Sequence, residues 1–289
     1  MEIVVTGCGG RLGRALLSEW EGEHVVHGLG REELDLREPG LLEKRLESLH
    51  FDALVNCAAL ADVERCESDR REAELVNAES PAVLARLCAG RGVRLVHFST
   101  DYVLEGGSEG LKSETAPVRP INHYAHTKRL GEESVLTENP AAVVGRVSWL
   151  FGTEPGGVVE SAFRRLRQGG IIRAVDDKFS KPTSVPEIGR MVLALLGRED
   201  LGGIFHLTHP GEPESWWSIA RKVAALARED GLLGNEVEVV SETMAQAERL
   251  EVERPVHTAM DPERLREDLH WPGVCWETEA RKRISLLNL

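Results

Sequence analysis

The sequence predicts an α/β protein built on a doubly wound parallel sheet, and three observations carry that prediction. Short apolar runs rich in β-branched residues alternate with longer amphipathic stretches through the first 150 residues, the pattern of strands joined by helical crossovers. Leu95-Val96-His97-Phe98 and Ala142-Val143-Val144 are apolar with little alternation, as expected of strands covered on both faces. A glycine-rich turn, Thr6-Gly7-Cys8-Gly9-Gly10-Arg11-Leu12-Gly13, joins the first apolar run to the first amphipathic one.

Taken in order, strands are expected at Ile3–Thr6, His24–Gly28, Ala53–Asn56, Arg94–Ser99 and Ala142–Ser148. The helices between them are expected at Leu12–Trp20, Gly40–Leu49, Asp69–Ala89 and Asn122–Thr137. Beyond about residue 150 the rhythm changes to Gly/Pro-rich loops. There a strand near Ile171–Val175, a helix from Pro186 to Leu196, a strand near Ile204–Leu207 and a helix at Trp216–Arg228 suggest a smaller, interrupted C-terminal domain. It is expected to cap the sheet edge and shape a ligand pocket.

At 289 residues the chain can bury a large core without stapling. Five scattered cysteines with no C-x-x-C pair argue against a disulfide framework or a thiolate zinc site and point to a reducing, cytoplasmic setting. Met1 leads directly into Ile3-Val4-Val5, with no basic leader, and no apolar stretch approaches the roughly 18 residues of a membrane span. A net charge of −13 opposes unspecific nucleic-acid binding. His97, His123, His126, His206 and His209 fall in no metal-ligand spacing, so no metal is expected, and His97 reads as a hydrogen-bonded core residue. The hydrophilic run 64–74 and the acidic stretch 236–253 read as solvated faces.

The glycine turn follows a strand and opens a helix, the context in which G-x-x-G-x-x-G binds a dinucleotide. Gly7 permits the tight turn, Gly10 lets backbone approach a pyrophosphate, and Gly13 lets helix pack on strand, while the helix N-terminus attracts the anion. Residues 1–150 are therefore expected to be the dinucleotide-binding domain, rejoined by 171–200, with 151–170 and 201–289 as the smaller substrate domain. The second strand ends in His27-Gly28-Leu29-Gly30-Arg31 without a carboxylate. Arg31 is free to pair with a 2′-phosphate or, alternatively, with Glu32 or Glu33, so NADP is expected and NAD stays possible. Asn56-Cys57-Ala58-Ala59 offers small side chains against the cofactor.

Tyr124 and Lys128 stand four residues apart, one turn of a helix, and on one face. A phenol of pKa about 10 is a poor acid or base at neutral pH, and a neighbouring ammonium favours its ionised form. The pair reads as a proton relay for making or breaking a carbonyl. The fourth strand ends in Ser99-Thr100-Asp101-Tyr102-Val103, which places a hydroxyl at the same sheet edge.

With T-G-C-G-G-R-L-G, V-N-C-A-A, F-S-T-D-Y-V, P-I-N-H-Y-A-H-T-K and G-E in this order, the chain resembles the extended short-chain dehydrogenase/reductases of the Rossmann type. Within them it is most similar to the dTDP-4-dehydrorhamnose reductase family, through Ser99–Val103, Arg146-x-Ser148-Trp149, Lys181-Pro182-Thr183, Gly203–Leu207, Ser215-Trp216-Trp217, and Arg254-Pro255 followed by Asp261. The resemblance implies hydride transfer from a reduced nicotinamide to the 4-keto group of a nucleotide-linked 6-deoxysugar, with the nucleotide sugar as the small-molecule partner. It implies Thr100, Tyr124 and Lys128 as the catalytic residues, Tyr124 as proton donor, Lys128 on the nicotinamide ribose and Thr100 donating to the reacting oxygen. Arg11, Leu12, Asp35 and Leu36 join Gly7, Gly10, Gly13, Arg31, Cys57, Ala58, Ala59, Tyr124 and Lys128 as cofactor contacts; Val63, Thr100, Tyr102 and Trp149 are the implied sugar contacts. The chain departs from the family pattern at Leu60-Ala61-Asp62 before Val63, and at Ser180, which replaces a glycine. Ala15 stands where some relatives carry a carboxylate that helps hold magnesium at a dimer interface; a homodimer stays open. Two other readings share these motifs: an epimerase or dehydratase of the same superfamily, and a non-catalytic NADP-binding subunit like the regulatory β-subunit of methionine adenosyltransferase.

Overall fold

A computed structural model describes residues 1–153, 156–234, 237–247 and 251–288. The first half alternates as expected: β1 (Glu2–Thr6), α1 (Arg11–Trp20), β2 (Val25–Leu29), α2 (Leu42–Leu46), β3 (Ala53–Asn56), α3 (Val63–Ser68), α4 (Arg70–Glu74), α5 (Ser80–Arg91), β4 (Arg94–Thr100), α6 (His123–Glu138) and β5 (Val143–Val147). These strands pair in parallel. The six-stranded sheet has the order 203–206, β5, β4, β3, β1, β2.

Because side chains alternate across a strand, each strand feeds two cores. Ile3, Val5, Val55, Val96 and Phe98 point to one face, where Leu12, Leu16 and Trp20 of α1 meet Ile188, Met191 and Leu195 of the helix Val185–Leu196. Val4, Leu54, Leu95 and Val144 point to the other, against Leu42 and Leu46 of α2, Leu84 and Leu87 of α5 and Val135 of α6. The sheet is doubly wound.

Two expectations about the second half change. The sheet is rejoined by the strand Gly203–His206, which pairs in parallel with β5 and had been assigned to the substrate domain. Ile171–Val175, expected to rejoin the sheet, pairs instead with Glu238–Glu242. What does return from the 171–200 segment is the apolar helix 185–196, whose buried face completes the first core. A third core lies outside the sheet, formed by Phe163 and Leu166 of a helix at Val158–Gln168, Ile219 and Val223 of one at Trp216–Glu229, and Trp276, Ala280 and Ile284 of one at Trp276–Leu286.

The long helix expected over Asp69–Ala89 is interrupted. Run 64–74 is helical rather than only a solvated face, beginning at Asp62, whose carboxylate accepts from the Arg65 N–H at 2.9 Å. A π-helical stretch, Leu75–Glu79, then precedes α5, as recurs next to functional sites. It carries Asn77, fully buried, whose amide accepts from the Leu60 N–H at 2.9 Å and donates to the Leu60 carbonyl at 3.0 Å and to Thr127 Oγ1 at 3.1 Å. That backbone comes so close to α6 that a Cβ on Gly131 would lie 2.2 Å from the Asn77 carbonyl oxygen. Of the acidic stretch 236–253, residues 236 and 248–250 lie outside the described residues.

A buried ion pair ties α6 to β5. Arg146 Nε and Nη2 donate to Glu132 at 2.7 and 2.8 Å, with both side chains 1% exposed or less. Burial works to raise the Glu132 carboxyl, but the hydrogen bonds and charge of Arg146 override it and leave the group below the usual carboxylate range. Breaking one partner of such a pair strands the other charge. Arg146→Met is expected to cost about 3–5 kcal/mol of unfolding free energy, read by urea denaturation.

Candidate active site

The carboxyl ends of β1, β3 and β4 are laced together by one side chain. Asn56 accepts from Thr6 Oγ1 at 2.6 Å and from the Ala58 N–H at 3.2 Å, and its Nδ2 donates to His97 Nδ1 at 2.9 Å. His97 is thus the hydrogen-bonded core residue expected. Burial, helped by the Lys128 charge, pushes its imidazole well below the usual range, so it stays neutral.

Above this floor lies a cleft of about 710 Å³ lined by Gly7, Gly10, Arg31, Asp35, Leu36 and Cys57-Ala58-Ala59 among others, a volume in the range of small-molecule sites. Gly7 holds φ +69°, and a Cβ there would sit 2.7 Å from the Ala58 backbone; one on Gly13 would sit 2.5 Å from the Gly7 carbonyl oxygen. The turn therefore tolerates no side chain at either position. Arg11, Leu12 and Gly13 open α1 with N–H groups that have no intrahelical acceptor. Their side chains do not line the cleft: Arg11 reaches the Gly156 carbonyl at 3.5 Å, and Leu12 is buried in the first core. A contact from these positions is a backbone contact.

At the far end of the cleft Arg31 is exposed and makes no side-chain hydrogen bond or ion pair among the described residues. Pairing with Glu32 or Glu33 is not what the structure shows, since Glu33 Oε2 accepts from the Gly30 N–H at 2.9 Å. Arg37, which sequence reasoning missed, lines the same end and grips Asp35. Those hydrogen bonds hold the Asp35 carboxyl below its usual range against some burial. Backbone cradle, anion-seeking helix end and an unpaired guanidinium fit a dinucleotide phosphate ester.

Thr100, Tyr124 and Lys128 are brought together. Thr100 is the last residue of β4; Asn122 caps α6 by accepting from the Ala125 N–H at 2.9 Å, which aims Tyr124 and Lys128 at that strand end. Lys128, 2% exposed, donates from Nζ to the Phe98 carbonyl at 2.7 Å. Burial lowers its pKa to about 8, with Glu132 pulling the other way. Leu60 and Val76 line the cleft and share an apolar cluster with Tyr124, so the catalytic candidates lie beside it.

Tyr124 is half-buried, packs on Leu60, Cys66 and Ala73, and lies edge-on to the Tyr102 ring at 5.8 Å. Burial raises its phenol pKa, Thr100 pulls it down, and Asp101, Tyr102 and Cys66 add to the rise. The Lys128 ammonium, one turn on, is turned to the Phe98 carbonyl. The phenol stays protonated at neutral pH, as a proton donor requires.

Lys178 and Arg254 approach the implied sugar contacts. Lys178, fully buried, lies 4.8 Å from the Tyr102 ring centre and 6.0 Å from that of Trp149, favourable cation–π geometry. Trp149 adopts φ +39°, strained for a bulky residue, and its ring lies tilted against Trp216 with centres 5.6 Å apart. Tyr102, pushed up to about 12 by burial and by Asp101, is also acted on by Arg254, which pairs with Glu64 next to Val63. Val63 is buried at the start of α3. Lys178 sits in the 177–183 run that departs from the family pattern, the one signal that could have found it. Among the described residues there is no cluster of His, Cys, Asp or Glu able to hold a metal, and no helix long and apolar enough to cross a membrane.

Fold and site together define a Rossmann-type α/β protein with Tyr124 and Lys128 beside its glycine-lined cleft. A family model for the RmlD substrate binding domain matches residues 1–288, and the chain belongs to that family. It is 34% identical over 284 residues to the probable dTDP-4,6-dihydroxy-2-methyloxan-3-one 4-ketoreductase of Streptomyces antibioticus, covering 98% of this chain and 94% of that one. It is 36% identical over 218 residues to dTDP-4-dehydrorhamnose reductase of Mycobacterium tuberculosis, covering 72% of this chain and 70% of the relative. A dTDP-4-dehydrorhamnose reductase structure from Clostridium acetobutylicum superposes with a TM-score of 0.91 at 26% identity, covering 100% of both chains.

The crowding at Gly13 gives a direct check of the turn. Gly13→Ala is expected to lower unfolding free energy by about 1–3 kcal/mol, read by urea denaturation, because the added methyl meets backbone that cannot move aside.

Proposed function

We propose that the protein is an NADPH-dependent reductase of the 4-keto group of a nucleotide-linked 6-deoxysugar. The observation that carries this reading is the meeting of Thr100, Tyr124 and Lys128 at the end of β4, beside the glycine-lined cleft. The names of two relatives support it, both reductases of dTDP-linked sugars. The particular sugar we assign is dTDP-4-dehydrorhamnose.

When bound, the reduced nicotinamide supplies the hydride. Gly7, Gly10 and the first N–H groups of α1 hold the pyrophosphate, Arg31 takes the 2′-phosphate, and Cys57-Ala58-Ala59 forms the wall. Tyr124 gives up its O–H proton to the substrate oxygen as that oxygen gains charge. Lys128, held by the Phe98 carbonyl at 2.7 Å, presents its remaining protons to the ribose. Val63, Tyr102 and Trp149 contact the sugar, and Lys178 keeps Tyr102 and Trp149 in place from beneath. The five free cysteines suit a reducing cytoplasm.

Arg31→Gln is expected to weaken NADPH binding by roughly ten- to a hundredfold, the loss of one charged hydrogen-bonding partner of about 1.5–3 kcal/mol, while NADH binding holds; fluorescence titration of both cofactors reads it. The activity itself is tested by mixing the protein with NADPH and dTDP-4-dehydro-L-rhamnose and following the absorbance of the reduced nicotinamide. Oxidation is expected, and Tyr124→Phe should lower the rate by about 10²–10⁴-fold while cofactor affinity is spared. Binding without oxidation would move the assignment to another sugar or to a non-catalytic role.

A further inference from the structure

The second strand ends without a carboxylate of its own, yet the fold brings one to that end. Just past β2 the chain makes a tight turn, closed by the Leu34 N–H, which donates to the Gly30 carbonyl at 2.9 Å. Within that turn Glu33 folds back, and its Oε2 accepts from the Gly30 N–H at 2.9 Å. Gly30 lines the cleft and has no side chain to fill the space beyond its Cα. A Cβ built there would stand 3.1 Å from Glu33 Oε2 and 3.5 Å from the Sγ of Cys8, in the glycine turn. The Glu33 carboxylate therefore occupies the place that the side chain of a strand-end residue would take, next to the glycine turn.

A dinucleotide whose pyrophosphate rests on the glycine turn carries its adenosine ribose toward the end of the second strand, where a carboxylate accepts from the ribose diol of NAD. A carboxylate offers about four acceptor positions over its two oxygens. The Gly30 N–H uses one, and the Glu33 side chain has no other hydrogen bond or ion pair among the described residues. We propose that Glu33 is a specificity-determining residue of the cofactor site: it accepts from the adenosine ribose hydroxyls of NADH and opposes the 2′-phosphate of NADPH, which Arg31 favours. Glu33 and Arg31 are not bonded to each other, so each charge acts on its own. Cofactor preference is the balance between them, and the cleft takes both dinucleotides. The role rests on the dinucleotide part of the reductase reading and not on the sugar.

Fluorescence titration of the unmodified protein and of Glu33→Gln with NADH and NADPH tests it by binding alone, at low ionic strength, where charge effects are least screened. The glutamine carbonyl can still accept from the Gly30 N–H, so the turn is kept while the charge goes. The variant is expected to bind NADH about tenfold more weakly and NADPH about threefold more tightly. Opposite signs mark a group that separates the two cofactors. Glu32→Gln removes the same charge from the neighbouring residue, which also lines the cleft, and is expected to leave NADH affinity unchanged. Affinities that stay where they were, that move in the same direction for both cofactors, or that respond alike to the two substitutions overturn the proposal. Binding of NADPH but not NADH by the unmodified protein overturns it too. If the unmodified protein binds neither dinucleotide, the cofactor reading fails and the role of Glu33 with it, whereas binding without turnover counts against ketone reduction alone.

Discussion

Helix α6 can lie against its neighbours as it does because position 131 has no side chain. A Cβ there would lie 2.2 Å from the Asn77 carbonyl oxygen, and any larger residue would push the helix away from the π-helical turn beside it. One residue on, Glu132 is bound to Arg146 of β5; three residues back, the Lys128 ammonium is bound to the Phe98 carbonyl of β4. Buried charges demand such partners, and here the partners are strand backbone and a strand side chain. The helix is thereby locked in rotation and in height. Tyr124, one turn before Lys128, has little choice but to face the end of β4.

That placement explains the electrostatics of the site. Burial lowers Lys128 to about 8 and raises the Tyr124 phenol, so each group leans toward its neutral form. A neutral phenol is a proton donor in waiting. The groups that bias it are Thr100 and Asp101, which belong to the strand end and not to the helix. Asp101 in turn is held by Ser180 and Thr258, from the half of the chain that supplies Trp149 and Lys178. The end of β4 and the second half of the chain are therefore linked through one buried carboxylate.

The sheet was legible because short apolar, β-branched runs with little alternation are local properties; in the structure Ile3, Val4 and Val5 sort onto opposite faces, both buried. The glycine turn was legible for a similar reason, since Gly7 and Gly13 are forced by backbone contacts within the same unit. Less visible were features set by distant packing. The strand 203–206 and the strand 171–175 look alike in sequence, and only the neighbour each finds, β5 or 238–242, separates them. The close approach of Leu75–Glu79 to α6 needs a glycine at position 131, more than fifty residues away. Likewise Lys178 and Arg254 come to Tyr102 only through folding.

The central claim is that a hydride passes from cofactor to the ketone carbon at the end of β4. It is tested most directly by supplying NADPH deuterated at nicotinamide C4, on the face that is transferred, together with dTDP-4-dehydro-L-rhamnose, and locating the label by mass spectrometry and NMR. The account predicts deuterium at sugar C4 of the reduced product, with solvent label only on exchangeable hydroxyls. Product lacking cofactor deuterium at C4, or a sugar changed in configuration with the cofactor unconsumed, would contradict it.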